Sequence, residues 1–483
     1  MNPVIVWFRN DLRLEDNTAL ALALQQGVPV IPVFISAPGE EFPWSPGSAS
    51  RWWLHHALHD LDRQLRDCGS RLIIRRPSAG QGSFDVLLSL VRDTRAKAVF
   101  WNRRYEPGII KRDAMVKESL RALGIRAESV NSSLLFEPHE ITNKSGKPFQ
   151  VFTPMWRHYK NLEKPEVVKV PLQKLRPSKQ WPGTDTIQSL DLLPTVPWDR
   201  GFTICWGEPS RTDGIRRLRA FIKTGAEDYL EQRDFPAEPG TTQLSAYLNF
   251  GQLGPREVWG ALAEAANFSE DFSAGIMRQL VWREFAHHLL FHFPETPLKP
   301  LRPEYELFPW QPGDGLFKAW KRGETGYPIV DAGMRQLWQT GWMHNRVRMI
   351  AGSLLVKHLL QPWQDGAQWF WDTLVDGNLA NNTMGWQWLG GCGADAAPYF
   401  RIFNPIVQGE KFDPQGVYVR RYLPELENLP DSFVHKPWEM GRLELKDCGV
   451  ELGRDYPNPI IGHSEGRRRA LDAFAEFKRR RES

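Results

Sequence analysis

Short apolar runs and amphipathic stretches alternate over the first 130 residues, and this alternation restricts the fold more than any other feature of the sequence. The pattern predicts five strands, at residues 4–8, 28–35, 71–75, 98–101 and 127–130. It predicts four helices between them, near residues 18–25, 50–66, 84–95 and 110–123. Strict alternation of strands and helices is typical of a parallel, doubly wound sheet. We therefore predict a Rossmann-like α/β domain over residues 1–130.

Prolines recur throughout the segment that follows. They are Pro148, Pro154, Pro165, Pro171, Pro177, Pro182, Pro194 and Pro197. Because proline lacks a backbone N–H and fixes φ, this spacing interrupts any long regular element. We predict an interdomain linker over residues 131–200, with packed patches such as residues 151–154. Beyond it, long amphipathic stretches predict a large all-α domain over residues 201–483.

The composition, with 41% hydrophobic and 24% charged residues, is that of a globular protein. A length of 483 residues exceeds one ordinary core, so two domains are expected. Cys68, Cys205, Cys392 and Cys448 lack paired metal-ligand spacing, which suits a reducing cytosol and predicts no metal site. Without an 18-residue apolar run or a signal peptide, the sequence predicts a cytoplasmic protein that does not contact membranes. A net charge of +4 does not by itself indicate a nucleic-acid binder.

Residues 376–405 have a composition that is rare in ordinary helices and loops. The adjacent amides Asn381 and Asn382 are followed by Trp386 and Trp388, and then by three glycines. Glycine lets a backbone approach a planar ligand, amides pair with ring heteroatoms, and indoles stack on flat partners. The stretch predicts a site for an aromatic cofactor. A buried, tryptophan-rich corner of the core is the alternative.

Two other segments place polar and aromatic side chains on one face of a predicted helix. In residues 274–290 these side chains are Gln279, Trp282, Arg283 and Ala286. In residues 342–355 they are Trp342, Asn345, Arg346 and Met349. Such stripes usually pack in a core, but polar groups on both faces favour a cavity.

Several ordered motifs resemble those of the photolyase/cryptochrome family, and most of all its class I-type or class III-like cyclobutane pyrimidine dimer photolyases. The motifs are WFRNDLR at residues 7–13, GYPIVD at 326–331, WMHNR at 342–346, WQW at 386–388, RIFNP at 401–405 and YP at 456–457. The resemblance implies FAD as cofactor and light-driven repair of cyclobutane pyrimidine dimers by an electron from reduced FAD. It also implies a monomer whose partner is damaged DNA. A six-four photolyase and a cryptochrome-like blue-light photoreceptor are the alternatives.

Residues 241–245 follow a Pro/Gly break and offer hydroxyls, an amide and backbone N–H groups near a predicted helix start, which suits an anion or an N-cap. The resemblance implies that they hold the FAD pyrophosphate, and that Arg348 pairs with Asp376 beside the flavin. The implied FAD contacts are Tyr229, Thr241, Thr242, Gln243, Leu244, Ser245, Arg348, Asp376, Gly377, Asn378 and Asn382. Gln243 and Asn378 depart from the family, in which Arg and Asp are usual at these positions.

The resemblance also implies a pocket for an extruded lesion. Its lesion and DNA contacts are Gln279, Trp282, Arg283, Asn345, Arg346, Met349 and Trp388. Aromatic faces would replace the stacking that an extruded dimer loses. Gln279 is a departure, because cyclobutane-dimer enzymes usually carry Glu there and an amide cannot ionise. Six-four enzymes carry Gln, but they place histidines where this chain has Asn345 and Met349, so cyclobutane-dimer repair is favoured.

The catalytic residues implied by the resemblance are Gln279, Asn382 facing flavin N5, and a tryptophan chain of Trp386, Trp363 and Trp310. The chain of indoles would carry an electron from the surface to photoexcited flavin. No GxGxxG follows the first strand, so the α/β domain lacks a dinucleotide fingerprint. In the family this domain carries an antenna, here methenyltetrahydrofolate or a deazaflavin, and Glu106 matches an antenna-binding carboxylate. An exposed loop charge is the alternative for Glu106.

Overall fold

A five-stranded parallel sheet forms the first part of the protein. The computed structural model describes residues 2–224, 228–265, 270–395 and 400–482, so residues 396–399 of the predicted cofactor stretch lie outside the described residues. The strand order is β3-β2-β1-β4-β5. The strands are β1 Val4–Phe8, β2 Val30–Ile35, β3 Ile73–Arg75, β4 Ala98–Asn102 and β5 Arg126–Val130. The predicted doubly wound α/β fold is confirmed.

Strand β1 lies at the centre of the sheet and is buried along its whole length. Val4 aligns with Val30 of β2 and with Ala98 of β4. Helices pack on both faces of the sheet, which explains why β1 is apolar at every position and does not alternate. These helices are α1 Thr18–Gln25, α2 Ser48–Asp67, α3 Ser83–Thr94 and α4 Pro107–Ala122.

One helix, α5 Phe152–Lys160, lies within the predicted linker. The prolines were expected to interrupt any long regular element, and α5 is a short helix of nine residues that was not predicted. Pro154 falls in the first turn, where backbone N–H groups have no partner within the helix, so proline is tolerated. The buried side chains of α5 are Phe152, Met155 and Tyr159, and they join a hydrophobic cluster with a later helix, α11 Glu270–His292.

The rest of the described chain is helical, as predicted. Besides α11, its helices are α6 Arg200–Trp206, α7 Arg211–Thr224, α8 Tyr229–Gln232, α9 Ser245–Asn249, α10 Pro255–Ala265, α12 Asp314–Arg322, α13 Pro328–Thr340, α14 Asn345–Ser353, α15 Trp363–Thr373, α16 Leu379–Gly390, α17 Pro405–Phe412, α18 Val417–Tyr422, α19 Arg442–Asp447 and α20 His463–Glu482. Helix α14 begins three residues later than predicted, because Nδ1 of His344 accepts from the N–H of Arg346 and caps the helix there. Among the described helices, none is both long and apolar enough to cross a membrane.

Contacts between α2 and the end of α15 join the sheet to the helical part. The backbone N–H and Oγ of Ser48 each donate to Oδ1 of Asp372 at 2.8 Å. Gly47 allows this close approach, since a Cβ there would lie 2.2 Å from the carbonyl oxygen of Trp371. The contacts hold the segment that leads from α15 to Asp376.

Candidate functional site

A cavity of about 620 Å³ opens among helices α9, α11, α14 and α16. This volume suits a cofactor or a drug-sized ligand. The predicted site residues that line it are Thr241, Thr242, Gln243, Leu244, Ser245, Gln279, Trp282, Arg283, Asn345, Arg348, Met349, Asp376, Gly377, Asn378, Asn382, Trp386 and Trp388. The other predicted residues, which lie outside the cavity lining, are Tyr229, Arg346, Trp363, Trp310 and Glu106.

Residues 241–245 form one end of the cavity and lead directly into α9. Gln243 has a φ of 51°, in the left-handed region that non-glycine residues rarely adopt. Arg217 of α7 donates from Nη1 to Oε1 of Gln243 at 3.0 Å and also pairs with Asp213 at 3.1 Å. A cation therefore lies beside the predicted pyrophosphate site although Gln243 replaces the family's arginine. Arg217 was not predicted, and its one local signal is the four-residue spacing to Asp213.

Arg348 and Asp376 form an ion pair on the cavity wall. Nη2 of Arg348 lies 2.9 Å from Oδ2 and 3.1 Å from Oδ1 of Asp376. Nε of Arg348 donates to the carbonyl of Met343 at 2.7 Å, which fixes the guanidinium. The side chains of Asp376 and Arg348 are 4% and 25% exposed, so the attraction is less screened than at the surface.

Asn378 is the N-cap of α16, and its amide is bonded within the protein. Oδ1 accepts from the N–H of Asn381 at 3.1 Å, while Nδ2 lies 3.1 Å from Oδ1 of Asn249 and 3.5 Å from Nε2 of His287. Nδ1 of His287 donates to the carbonyl of Arg283 at 2.9 Å, which leaves Nε2 as an acceptor. Burial, with a smaller contribution from Arg283, lowers the pKa of His287 to about 3, so the ring is neutral. Asn249 and His287 were not predicted.

Asn382 lies one turn into α16, and its side chain is half-buried. Its Nδ2 donates to the backbone carbonyl of Ala367 on α15 at 2.8 Å. This bond fixes the orientation of the amide, whose other hydrogen-bonding groups are the acceptor Oδ1 and the second N–H of Nδ2. The amide therefore still offers both an acceptor and a donor.

Trp282 on α11 and Trp388 on α16 border the same cavity. The ring of Trp282 is parallel to the ring of Phe152 on α5, with centroids 3.6 Å apart and planes 4° apart. The guanidinium of Arg278, one helical turn before Trp282, lies over the Phe152 ring at 5.3 Å. The two predicted indoles thus border one space, and one of them is backed by an aromatic ring from the predicted linker.

Gln279 and Arg283 also reach the cavity from α11. Nε2 of Gln279 makes one long contact, 3.4 Å, to the carbonyl of Gly275. Nη1 of Arg283 donates to the carbonyl of Ser133 at 2.9 Å and lies 3.3 Å from Oε1 of Glu284. The charge of Arg283 is thus bonded inside the protein, and its contact with DNA stays a prediction.

Arg346 lines a separate groove of about 520 Å³. Its Nη2 lies 2.7 Å from Oδ2 of Asp234, and its guanidinium lies over the ring of Phe412 at 4.4 Å. Arg401 and Lys411 border the same groove, which gives it three cationic side chains. Arg346 therefore belongs to a charged rim and not to the wall of the main cavity.

Tyr229 and Glu106 are not among the residues that line the cavity. The ring of Tyr229 packs against Phe221, with centroids 5.7 Å apart. Glu106 pairs with Arg104 at 2.8 Å, and Arg104 also pairs with Glu41 at 2.8 Å. Burial by itself would raise the pKa of Glu106, but Arg104 more than offsets it and lowers the pKa to about 2. Glu106 is thus part of an ion-pair network and not an exposed loop charge.

The predicted tryptophan chain begins at the cavity and is largely buried. Trp386 and Trp363 are 2% and 1% exposed, whereas Trp310 is half-buried. The rings nearest to Trp386 are those of Phe370 and Trp320, with centroids 5.0 and 6.1 Å away. Trp320 was not predicted, and the electron route through Trp363 and Trp310 stays a prediction.

The chain matches two family models. Residues 4–174 match the model described as DNA photolyase. Residues 276–476 match the model described as the FAD binding domain of DNA photolyase. The second match contains most of the residues that line the cavity, including those of α14, α15 and α16.

Known proteins are similar to the chain over nearly its whole length. The deoxyribodipyrimidine photo-lyase of Agrobacterium fabrum is 47% identical over 480 residues, which are 99% of this chain and 98% of that protein. Cryptochrome-1 of Arabidopsis thaliana is 38% identical over 98% of this chain and 70% of its own length. The crystal structure of a bacterial class III photolyase from Agrobacterium tumefaciens matches with a TM-score of 0.94 and 46% identity, covering 99% of this chain and 98% of that one.

Proposed function

The chain belongs to the DNA photolyase family, and from this membership we propose that it is a lyase that repairs cyclobutane pyrimidine dimers in DNA with blue or near-UV light. FAD, when bound and reduced, supplies the electron that splits the dimer. The chain supplies binding, orientation and electrostatics. A similar relative is named deoxyribodipyrimidine photo-lyase, which agrees with this reaction.

One observation supports the proposal most directly. A single cavity is lined both by residues that suit a flavin cofactor and by residues that suit an extruded base. An anion-binding loop at residues 241–245, the Arg348–Asp376 pair and Asn382 suit a flavin dinucleotide. Trp282 and Trp388 suit a flat base removed from a duplex. Cofactor and substrate would therefore lie close together, which favours transfer of an electron between them.

The residues present fit FAD chemically. Hydroxyls and backbone N–H groups of residues 241–245, with Arg217 behind Gln243, would hold the pyrophosphate. The guanidinium of Arg348 would stabilise a reduced, anionic ring by direct Coulomb attraction. Oδ1 of Asn382 would accept a hydrogen bond from the N5 position, while its Nδ2 is bonded to Ala367.

The substrate side of the cavity would hold the lesion by stacking. Each base on an indole contributes roughly 1–3 kcal/mol to binding. Gln279 would hydrogen-bond to a base edge without transferring a proton. Arg346, with Arg401 and Lys411 in the neighbouring groove, would meet the phosphates of the flanking DNA.

Repair of six-four lesions is a second candidate because Gln279 matches that branch of the family. Asn345 and Met349 disfavour it. Nδ2 of Asn345 lies 3.8 Å from Sδ of Met349, and both residues border the cavity. Neither side chain can donate a proton as the two histidines of six-four enzymes do.

A photoreceptor role is the third candidate, supported by the likeness to cryptochrome-1. That protein is longer, since the match covers 70% of its length against 98% of this chain. A receptor would use the same flavin to alter a partner's binding without restoring DNA.

One assay separates the three functions. The reduced, FAD-loaded protein is illuminated with oligonucleotides that carry a cyclobutane dimer or a six-four lesion, and restored bases are quantified. We expect restoration of the cyclobutane dimer alone. Restoration of the six-four lesion would assign the chain to that branch, and restoration of neither would favour a photoreceptor.

Further parts of the proposal concern organisation and setting. We infer an antenna chromophore, methenyltetrahydrofolate or a deazaflavin, in the domain over residues 1–130, with Glu106 among its contacts. We also infer a linker over 131–200, a catalytic domain over 201–483, and a cytoplasmic monomer. Free thiols at Cys68, Cys205, Cys392 and Cys448 support a reducing compartment.

A further inference from the structure

Side chains of α11 fasten the linker to the helical part of the protein. The backbone N–H of Leu135 donates to Oε2 of Glu284 at 2.9 Å. The backbone N–H of Phe149 donates to Nε2 of His288 at 3.0 Å. Since α11 also carries Trp282, the linker is held against the helix that forms one wall of the cavity.

Phe152, the first residue of α5, contacts two side chains of α11. Trp282 covers one face of its ring at 3.6 Å, and the guanidinium of Arg278 lies over the ring at 5.3 Å. Arg278 and Trp282 are four residues apart, so they lie one above the other on the same face of the helix. Phe152 is 0% exposed, whereas Trp282 is half-buried and borders the cavity.

A third ring, Phe285, closes the side of this stack. Its centroid lies 5.8 Å from that of Trp282 and 5.9 Å from that of Phe152, at 70° to both planes. Equal distances place Phe285 beside the pair and not on the outer face of the indole. Phe285 therefore does not cover the outer face of Trp282, and Trp282 borders the cavity.

The loop after α16 also approaches Phe152 and Arg278. Asp395 borders the cavity seven residues after Trp388. Burial raises the pKa of the Asp395 carboxyl, while the backbone N–H of Phe152 and the guanidinium of Arg278 act in the opposite direction. The segment after Trp388 thus approaches Arg278 and Phe152, and Phe152 stacks on Trp282.

We propose that Phe152 is a positioning residue of the cavity: stacked on Trp282 and in contact with Arg278, it fixes the plane of the Trp282 indole so that the outer face meets a ligand. The proposal rests on the proposed function only for the ligand's identity, an extruded pyrimidine dimer. A leucine at position 152 would fill part of the space but would offer no flat face, so the indole would gain rotational freedom.

The orientation of Trp282 can be observed without any DNA. The full-length, FAD-loaded protein is labelled with 5-fluorotryptophan, and the 19F resonance of Trp282 is assigned by its loss in Trp282→Phe. We expect one sharp resonance in the wild type and a broadened or split one in Phe152→Leu. Tyr159→Leu is the matched control, because Tyr159 is buried in the same helix and cluster but packs on Phe136. An unchanged Trp282 resonance in Phe152→Leu would overturn the proposal.

Affinity for lesion DNA gives the second measurement. Phe152→Leu should weaken binding of a dimer-containing oligonucleotide about three- to tenfold, the range expected from an aromatic pair. In the Trp282→Phe background the same substitution should change the affinity little, since it acts through the indole. If Phe152→Leu weakened DNA binding equally in the wild type and in Trp282→Phe, its effect would not depend on the indole. Its role would then be merely structural, and the proposal would be overturned.

Two further outcomes are decisive. If the wild type binds dimer-containing and undamaged DNA equally, the proposed function fails, and the 19F resonance still decides the role of Phe152. If Phe152→Leu does not fold, Arg278→Ala replaces it, because Arg278 is exposed and its loss removes the cation from the Phe152 ring. Arg278→Ala should also broaden or split the Trp282 resonance. An unchanged resonance would overturn the proposal.

Discussion

Nη2 of Arg348 contacts both carboxylate oxygens of Asp376, 28 residues later in the chain, and joins α14 to the segment after α15 at the wall of the cavity. The pair is asymmetric, since the aspartate side chain is almost fully buried and the arginine is one quarter exposed. Loss of the arginine would therefore leave a buried charge without its partner.

Arg348→Met should lower the free energy of unfolding by about 2–3 kcal/mol, less than for a fully buried pair because Arg348 is partly exposed. It should also weaken FAD binding. Urea unfolding of the apoprotein and an FAD titration measure the two effects. Arg348→Met with Asp376→Asn should regain part of the stability, because the second change removes the unpaired charge. Full stability in the single variant would mean that the pair contributes nothing.

Gln279→Glu should raise the yield of repaired dimers per absorbed photon. A carboxyl group in this half-buried position can transfer a proton when protonated and carry a negative charge when ionised, and an amide can do neither. Partial burial raises the pKa of a carboxyl, so the gain should be larger at pH 5 than at pH 8. Gln279→Leu is the control and should bind the lesion more weakly. A lower yield with Glu would show that the amide is adapted to its substrate.

Asn378→Asp should change how the free energy of unfolding depends on pH. In the wild type, His287 titrates near pH 3 when folded and near 6.5 when unfolded. Between these values the unfolded chain binds the additional proton, so His287 lowers stability as pH falls.

A carboxylate at position 378 would raise the pKa of His287 and reduce this loss. The variant should be about 1–3 kcal/mol less stable than the wild type at pH 8, because two acceptors would then face each other, and the gap should narrow by pH 5.

Urea unfolding from pH 5 to 8 tests this difference. Asn381→Asp is the matched control, because it adds the same charge to the same helix at an exposed position. Its effect on stability should stay nearly constant with pH. A gap for Asn378→Asp that widens toward low pH would contradict the assigned tautomer of His287.

Trp386→Phe should abolish light-driven reduction of the oxidised flavin while leaving repair by chemically reduced protein intact. Phenylalanine fills most of the buried space beside Phe370 but is much harder to oxidise than an indole. Absorbance at the flavin bands under blue light, with an external reductant, follows the first reaction, and restored bases follow the second. Trp101→Phe in the sheet is the control and should reduce normally. Unimpaired photoreduction in Trp386→Phe would remove this indole from the electron route.

The sequence by itself determined the sheet, α11 and the segments that build the cavity. Strands in this domain are buried on both faces, so they read as short apolar runs, and amphipathic helices repeat with their own period. Such patterns depend only on residues a few positions apart, so they can be recognised in the sequence without knowledge of the fold. Motifs at residues 326–331, 342–346 and 386–388 then indicated the cofactor.

The tertiary structure alone decided which side chains meet. Phe152 backs Trp282, His287 supports Asn378 from 91 residues away, and Arg217 stands behind Gln243. These contacts depend on how helices distant in sequence pack, and local periodicity does not encode that geometry. Helix α5 was missed for the same reason, since proline opposes helix locally while burial against α11 stabilises it.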